Sequence, residues 1–65
     1  MQISVNGKAR EVSAATVAAL LVELDYGDAV VATALNGSFV RAVDRAATAL
    51  HEGDAVEVVS PRQGG

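Results

Sequence analysis

MQISVNGKAREVSAATVAALLVELDYG, residues 1–27, decides the fold. Ile3 and Val5 alternate with Gln2 and Ser4, the period-two pattern of a half-buried strand. Asn6-Gly7 supplies the two positive φ angles of a type I′ turn. Met1–Val5 is therefore predicted to fold back on Lys8–Val12 as a hairpin. The pattern then changes period. Val17, Leu20, Leu21 and Leu24 fall at i, i+3, i+4 and i+7, one face of a helix. Thr16 is placed to be the N-cap, its hydroxyl accepting an orphan backbone N–H. Gly27 sits where a left-handed C-terminal cap belongs. The helix is predicted over about Val17–Asp25, its leucine stripe serving as core.

The rest of the chain repeats the first signal. Asn36-Gly37 lies between two further extended stretches and predicts a hairpin of Val30–Leu35 with Ser38–Arg41. Val43–Leu50, with Ala46, Ala47 and Leu50, reads as a short helical turn or irregular crossover. Gly53-Asp54 marks a turn, and Ala55–Ser60 is the last strand. Val56 and Val58 alternate with Glu57 there, and Val59 breaks the pattern. That places Val59 on the outer face as a candidate docking residue. The order β-β-α-β-β-β predicts an α+β fold with one helix covering one face of a sheet. No repeat or low-complexity segment interrupts it.

Size and composition exclude much. A chain of 65 residues holds one domain and a thin core. The predicted division is a folded domain over 1–61 and a flexible tail over 62–65. Pro61 lacks an N–H and stops the strand, and Arg62-Gln63-Gly64-Gly65 offers nothing apolar to bury. Without cysteine there is no disulfide, thiolate zinc site or cysteine nucleophile. His51 is the lone histidine, which removes a histidine-based metal site. The net charge is −3 and the five Lys and Arg residues form no run, so nucleic-acid binding is not expected. The apolar run Val17–Val22 is far short of the ~20 residues of a membrane span. The N-terminus lacks a basic segment followed by a long apolar one, so a cytoplasmic protein is expected.

Asp25, Asp28, Asp44 and Asp54 are available carboxylates, but a catalytic pair needs a cleft that shifts one pKa, and this chain is too small to build one. Asp28 reads as solvating a turn, Asp44 as capping the short helical turn and Asp54 as shaping the turn before the last strand. Glu23, Arg45 and His51 read as exposed surface. The chain is not expected to be an enzyme.

Chemistry gathers at the end. Two successive glycines arise by chance at a rate of about 0.5%, from a usage near 7% each. Without side chains, Gly64-Gly65 can thread a narrow channel in a partner and present only a terminal carboxylate. A carboxylate is a poor acyl donor. ATP would convert it to an acyl-adenylate, and a sulfur nucleophile would then give a thiocarboxylate. This chain has no phosphate-binding loop, so ATP and Mg²⁺ belong to a partner and no cofactor is expected here.

With these residues in place the chain resembles the ThiS family, the ubiquitin-like sulfur carriers of thiamine biosynthesis. The resemblance rests on Met1-Gln2-Ile3, Asn6-Gly7, Thr16-Val17 and Ala34-Leu35-Asn36-Gly37 leading to Val40. It continues through Leu50, Gly53-Asp54, Val56-Glu57-Val58-Val59 and Gln63-Gly64-Gly65. It covers essentially the whole chain. It implies a β-grasp fold, with the first and last strands paired in parallel at the sheet centre. It also implies that a ThiF- or MoeB-like enzyme adenylates Gly65, and that sulfur from a cysteine desulfurase makes the thiocarboxylate. A ThiG-like thiazole synthase then takes the sulfur. Gly64 carries over as the preceding tail residue. Gln63 is expected to enter the partner's channel with it, and Arg62 joins Val59 as a candidate docking residue. Pro61-Arg62-Gln63 departs from the usual apolar, proline-free segment, and a proline here resembles MoaD, the small subunit of molybdopterin synthase. Other readings are a carrier for tRNA thiolation, a non-covalent β-grasp binding module, or a protein conjugated through Gly65 to lysine.

Overall fold

A computed structural model describes residues 1–60. Pro61, the boundary at 61/62 and the tail 62–65 lie outside the described residues. Five strands form one sheet: β1 Gln2–Val5, β2 Lys8–Glu11, β3 Ala32–Leu35, β4 Ser38–Val40 and β5 Ala55–Val59. One helix, α1 Val17–Glu23, packs on it, and a 3₁₀ segment over Ala42–Ala47 carries the crossover to β5. The strand order is β2-β1-β5-β3-β4. β1 and β5 run parallel, and the other neighbours are antiparallel. This is the β-grasp arrangement, with the first and last strands at the centre.

Both Asn-Gly turns form. Asn6 and Asn36 take φ of 52° and 50°, and the following glycines 83° and 86°. The hairpins are two-residue loops in register, Val5 opposite Lys8 and Leu35 opposite Ser38. The inner faces supply Ile3, Val5, Val40, Val56 and Val58, and α1 supplies Val17, Leu20 and Leu21. Val17 and Leu20 are completely buried.

Thr16 caps the helix as expected, its Oγ1 accepting from Ala19 N–H at 3.1 Å. The C-terminus differs. The helix ends at Glu23, and Asp25, not Gly27, is the first residue in the left-handed region, with φ of 71°. Tyr26 N–H donates to Leu21 C=O at 2.9 Å and Asp25 N–H to Val22 C=O at 3.1 Å. These are the two bonds of a Schellman motif. Leu21 belongs to the core cluster and Tyr26 packs against that cluster, so burial of Tyr26 favours the helix stopping here. A non-glycine residue carries this strain, which glycine does not. Asp25→Gly should therefore raise stability by about 0.5–1 kcal/mol, read as an increased urea midpoint with an unchanged m-value.

Several polar residues work harder than their expected surface roles. Glu23 accepts from Ser13 and Ala14 N–H, pinning the loop that leads into the helix. Arg45 donates to Thr33 Oγ1 at 3.2 Å and Val31 C=O at 2.7 Å, tying the crossover to β3. Thr33 is 2% exposed, and its hydroxyl donates to Val40 C=O at 2.9 Å. Asp44 does not cap the 3₁₀ segment. Arg41 is its N-cap residue and makes no side-chain capping bond, and Asp44 instead accepts from Arg41 Nε at 2.9 Å. His51 is exposed, as expected. The roles of Glu23 and Arg45 depend on contacts between separate segments, which periodicity does not encode.

Candidate functional site

β5 leads directly to the segment that ends in Gly64-Gly65, so what holds β5 sets the direction in which the chain leaves the sheet. β5 is longer than its overlap with β1. The parallel pairing covers only Ser4 with Ala55 and Val5 with Val56, after which the first chain turns away at Asn6. The Asn6 side chain continues the ladder. Its Nδ2 donates to Val58 C=O at 3.1 Å, and its Oδ1 accepts from Val58 N–H at 2.8 Å. The carboxamide thus pairs both main-chain groups of Val58, as a strand residue would.

Asn36 does the same at the other end. Its backbone N–H donates to Ala55 C=O at 2.7 Å and its Oδ1 accepts from Ala55 N–H at 2.9 Å. Its Nδ2 donates to Asp54 Oδ1 at 3.0 Å. Asp54 also accepts from His51 N–H at 2.8 Å, closing the turn before β5. The bonds from Asn36 and then His51 stabilise the charged carboxylate and hold its pKa below the ordinary 3.8, with the His51 ring 3.9 Å away adding least. A depressed pKa stabilises the fold above the unfolded value, and that contribution is lost as pH falls through the folded value. Asp54→Asn should flatten the acid limb of the stability curve below about pH 4, measured by urea unfolding against pH.

The outer face of the sheet carries the second feature. Side chains alternate, so Val56 and Val58 face the helix while Ala55, Glu57 and Val59 face out. Val59 is 59% exposed on the outer face, as expected. It pairs with Ala32 on β3, and Ala34 pairs with Phe39 on β4 and with Glu57 on β5. Phe39 is 69% exposed. Phe39, Ala34, Ala32 and Val59 therefore form an apolar strip beside the end of β5, with small central residues that let a partner approach closely. Sequence reading found Val59 and missed Phe39. Alternation decides the matter only once Val40 is known to be buried, since its strand neighbour Phe39 must then face out.

Gly65, Gly64, Gln63 and Arg62, the other expected site residues, lie outside the described residues. Among the described residues no three His, Asp or Glu side chains cluster to hold a metal. No described helix is long and apolar enough to cross a membrane.

Comparison with known proteins bears on the same frame. The family model for ThiS matches residues 3–65. The chain belongs to the ThiS family. The crystal structure of a thiamine biosynthesis protein, ThiS from Geobacter metallireducens, is similar at 36% identity with a TM-score of 0.84, and the match covers 100% of both chains. No curated protein gave a match. The ThiS match runs through the final strand, which the Asn6 and Asn36 side chains bracket, and on to residue 65.

Proposed function

We propose that this chain is a sulfur carrier in thiamine biosynthesis, with the Gly65 carboxylate as its acyl site. Membership of the ThiS family through residue 65 carries the reading. The mechanism divides between the chain and its partners. A ThiF- or MoeB-like enzyme uses ATP and Mg²⁺ to join AMP to the Gly65 carboxylate, releasing pyrophosphate. The terminal sulfur of a donor persulfide, charged by a cysteine desulfurase, attacks the acyl carbon and AMP leaves, giving an acyl disulfide. A thiol then attacks the donor sulfur, forming a disulfide with the donor and releasing the thiocarboxylate on Gly65. A ThiG-like thiazole synthase then takes that sulfur into the thiazole ring. No step needs a catalytic side chain from this protein.

The chain's own contribution is presentation. The strip of Phe39, Ala34, Ala32 and Val59 supplies an apolar docking face, and Arg62 adds a charge next to it in sequence. Gly64 and Gly65 give the final segment the narrowest cross-section a polypeptide has. Intact-mass spectrometry after incubation with an adenylating enzyme, ATP and a sulfur source tests the reading. The expected change is one oxygen replaced by sulfur, and its loss on deletion of Gly65 with the fold retained.

A further inference from the structure

An open groove of about 280 Å³ lies between β2 and the end of α1, lined by Val5, Asn6, Lys8, Arg10, Leu24 and Tyr26. Lys8 pairs across the hairpin with Val5, and Arg10 with Ile3. Val5 and Ile3 point into the core beneath the helix. Directly opposed side chains share a face, so Lys8 and Arg10 also rise on the helix side. Neither forms an ion pair or side-chain hydrogen bond among the described residues. Arg41 and Arg45, by contrast, are engaged with Asp44 and with β3. Two of the chain's five Lys and Arg residues thus lie at one groove with no partner among the described residues, in a chain with net charge −3.

The same strand has an open edge. β2 is the end of the sheet. Met1 and Val12 exchange hydrogen bonds in both directions, which fixes the alternation along the hairpin. Counting back by two, Arg10 and Lys8 turn their main-chain groups toward β1. Ser4 and Asn6 confirm the phase by donating to the C=O groups of Asp54 and Val56 on the other side. Ala9 and Glu11 therefore turn their N–H and C=O groups outward, two donors and two acceptors in a row.

We propose that this edge takes up an extended acidic segment of a partner protein as a sixth strand. Its main chain pairs with Ala9 and Glu11. Its alternate carboxylates, in an acid-x-acid pattern, face Lys8 and Arg10, and its apolar atoms cover Leu24 and Tyr26. Spacing favours a strand over a compact anion. Lys8 and Arg10 are separated by two strand residues, about 6.8 Å of rise, which an adjoining strand repeats. A single phosphate needs convergent donors, and α1 presents its C-terminal end here, the negative end of its dipole. The site also lies close to the end of β5. Asn6 lines the groove and bonds Val58, and β5 is two strand spacings from β2, about 10 Å. A partner gripping this edge would be oriented toward the outgoing chain. The proposal stands whether or not Gly65 carries sulfur. The ordinary role of charge on an edge strand, preventing association with other edges, is the competing account.

The probe is a fluorescent peptide with alternating Glu and Val, titrated against the whole chain by anisotropy and by amide NMR. The proposal expects saturable binding that weakens with salt. It also expects slowed amide exchange at Ala9 and Glu11, and at least a tenfold rise in Kd for the Lys8→Gln, Arg10→Gln variant. Both side chains are exposed, so that variant should keep its fold. Ala9→Pro keeps the charges and removes one outward N–H, and it should weaken binding by a similar factor with native amide shifts elsewhere. Absence of binding overturns the proposal. So does binding without protection at Ala9 and Glu11, or full competition by inorganic phosphate at matched ionic strength, which would mark a small-anion site.

Discussion

Asn6→Ala is expected to destabilise this domain by about 2–4 kcal/mol, a large fraction of the stability of so small a chain. Two losses add. Val58 N–H and C=O both lose their partner, and unpaired polar groups next to a core cost about 1–3 kcal/mol. Alanine must also hold the left-handed φ of 52°, which costs about 1 kcal/mol more. Asn6→Gly separates the terms, because glycine accepts the backbone angle and lacks only the carboxamide. Urea unfolding of both variants should place glycine between wild type and alanine. Equal stability of Asn6→Gly and wild type would show that the carboxamide does not hold β5.

The second large effect is functional. Phe39→Asp should lower kcat/KM for the adenylating partner by about 30-fold or more. Aromatic anchors at the centre of an interface contribute about 2 kcal/mol or more, and a buried unpaired carboxylate would add to the loss. Phe39 is 69% exposed on the outer face, so its replacement should leave the melting temperature of the free chain nearly unchanged. The split between unaltered folding and weakened transfer is the readout. Ser38→Asp, its neighbour on β4, serves as the charge control.

Much of the frame was legible in sequence because it rests on local signals. The two Asn-Gly turns, the alternation of Val56 and Val58, and the Leu20-Leu21 stripe each specify an element within a few residues. The parallel pairing of β1 with β5 came through family resemblance, since no local pattern announces a partner fifty residues away. Other features escaped for a related reason. The sequence marks Asn6 and Asn36 as turn formers, and their backbone angles bear that out. Their side chains also serve β5, and that role depends on β5 arriving beside both turns. Arg45 and Glu23 looked like solvated charges because their main-chain partners lie nine or more residues away. The helix ended before Gly27 because Tyr26 packs against the core, a tertiary contact that outweighs the preference for glycine at the cap.

Those observations give the small domain a definite job. The sheet fixes β5 by main-chain bonds where neighbours reach it and by asparagine side chains where they do not. The apolar strip beside it offers a surface, and in the proposed function the chemistry falls to Gly65. Gly65 is the proposed acyl site, and its conversion tests the account most directly. Intact-mass spectrometry of the chain, after incubation with a ThiF- or MoeB-like enzyme, ATP, Mg²⁺ and a sulfur donor, should show one oxygen exchanged for sulfur. Fragmentation should place that sulfur on Gly65. An unchanged mass with an enzyme that converts another ThiS protein in the same mixture would contradict it.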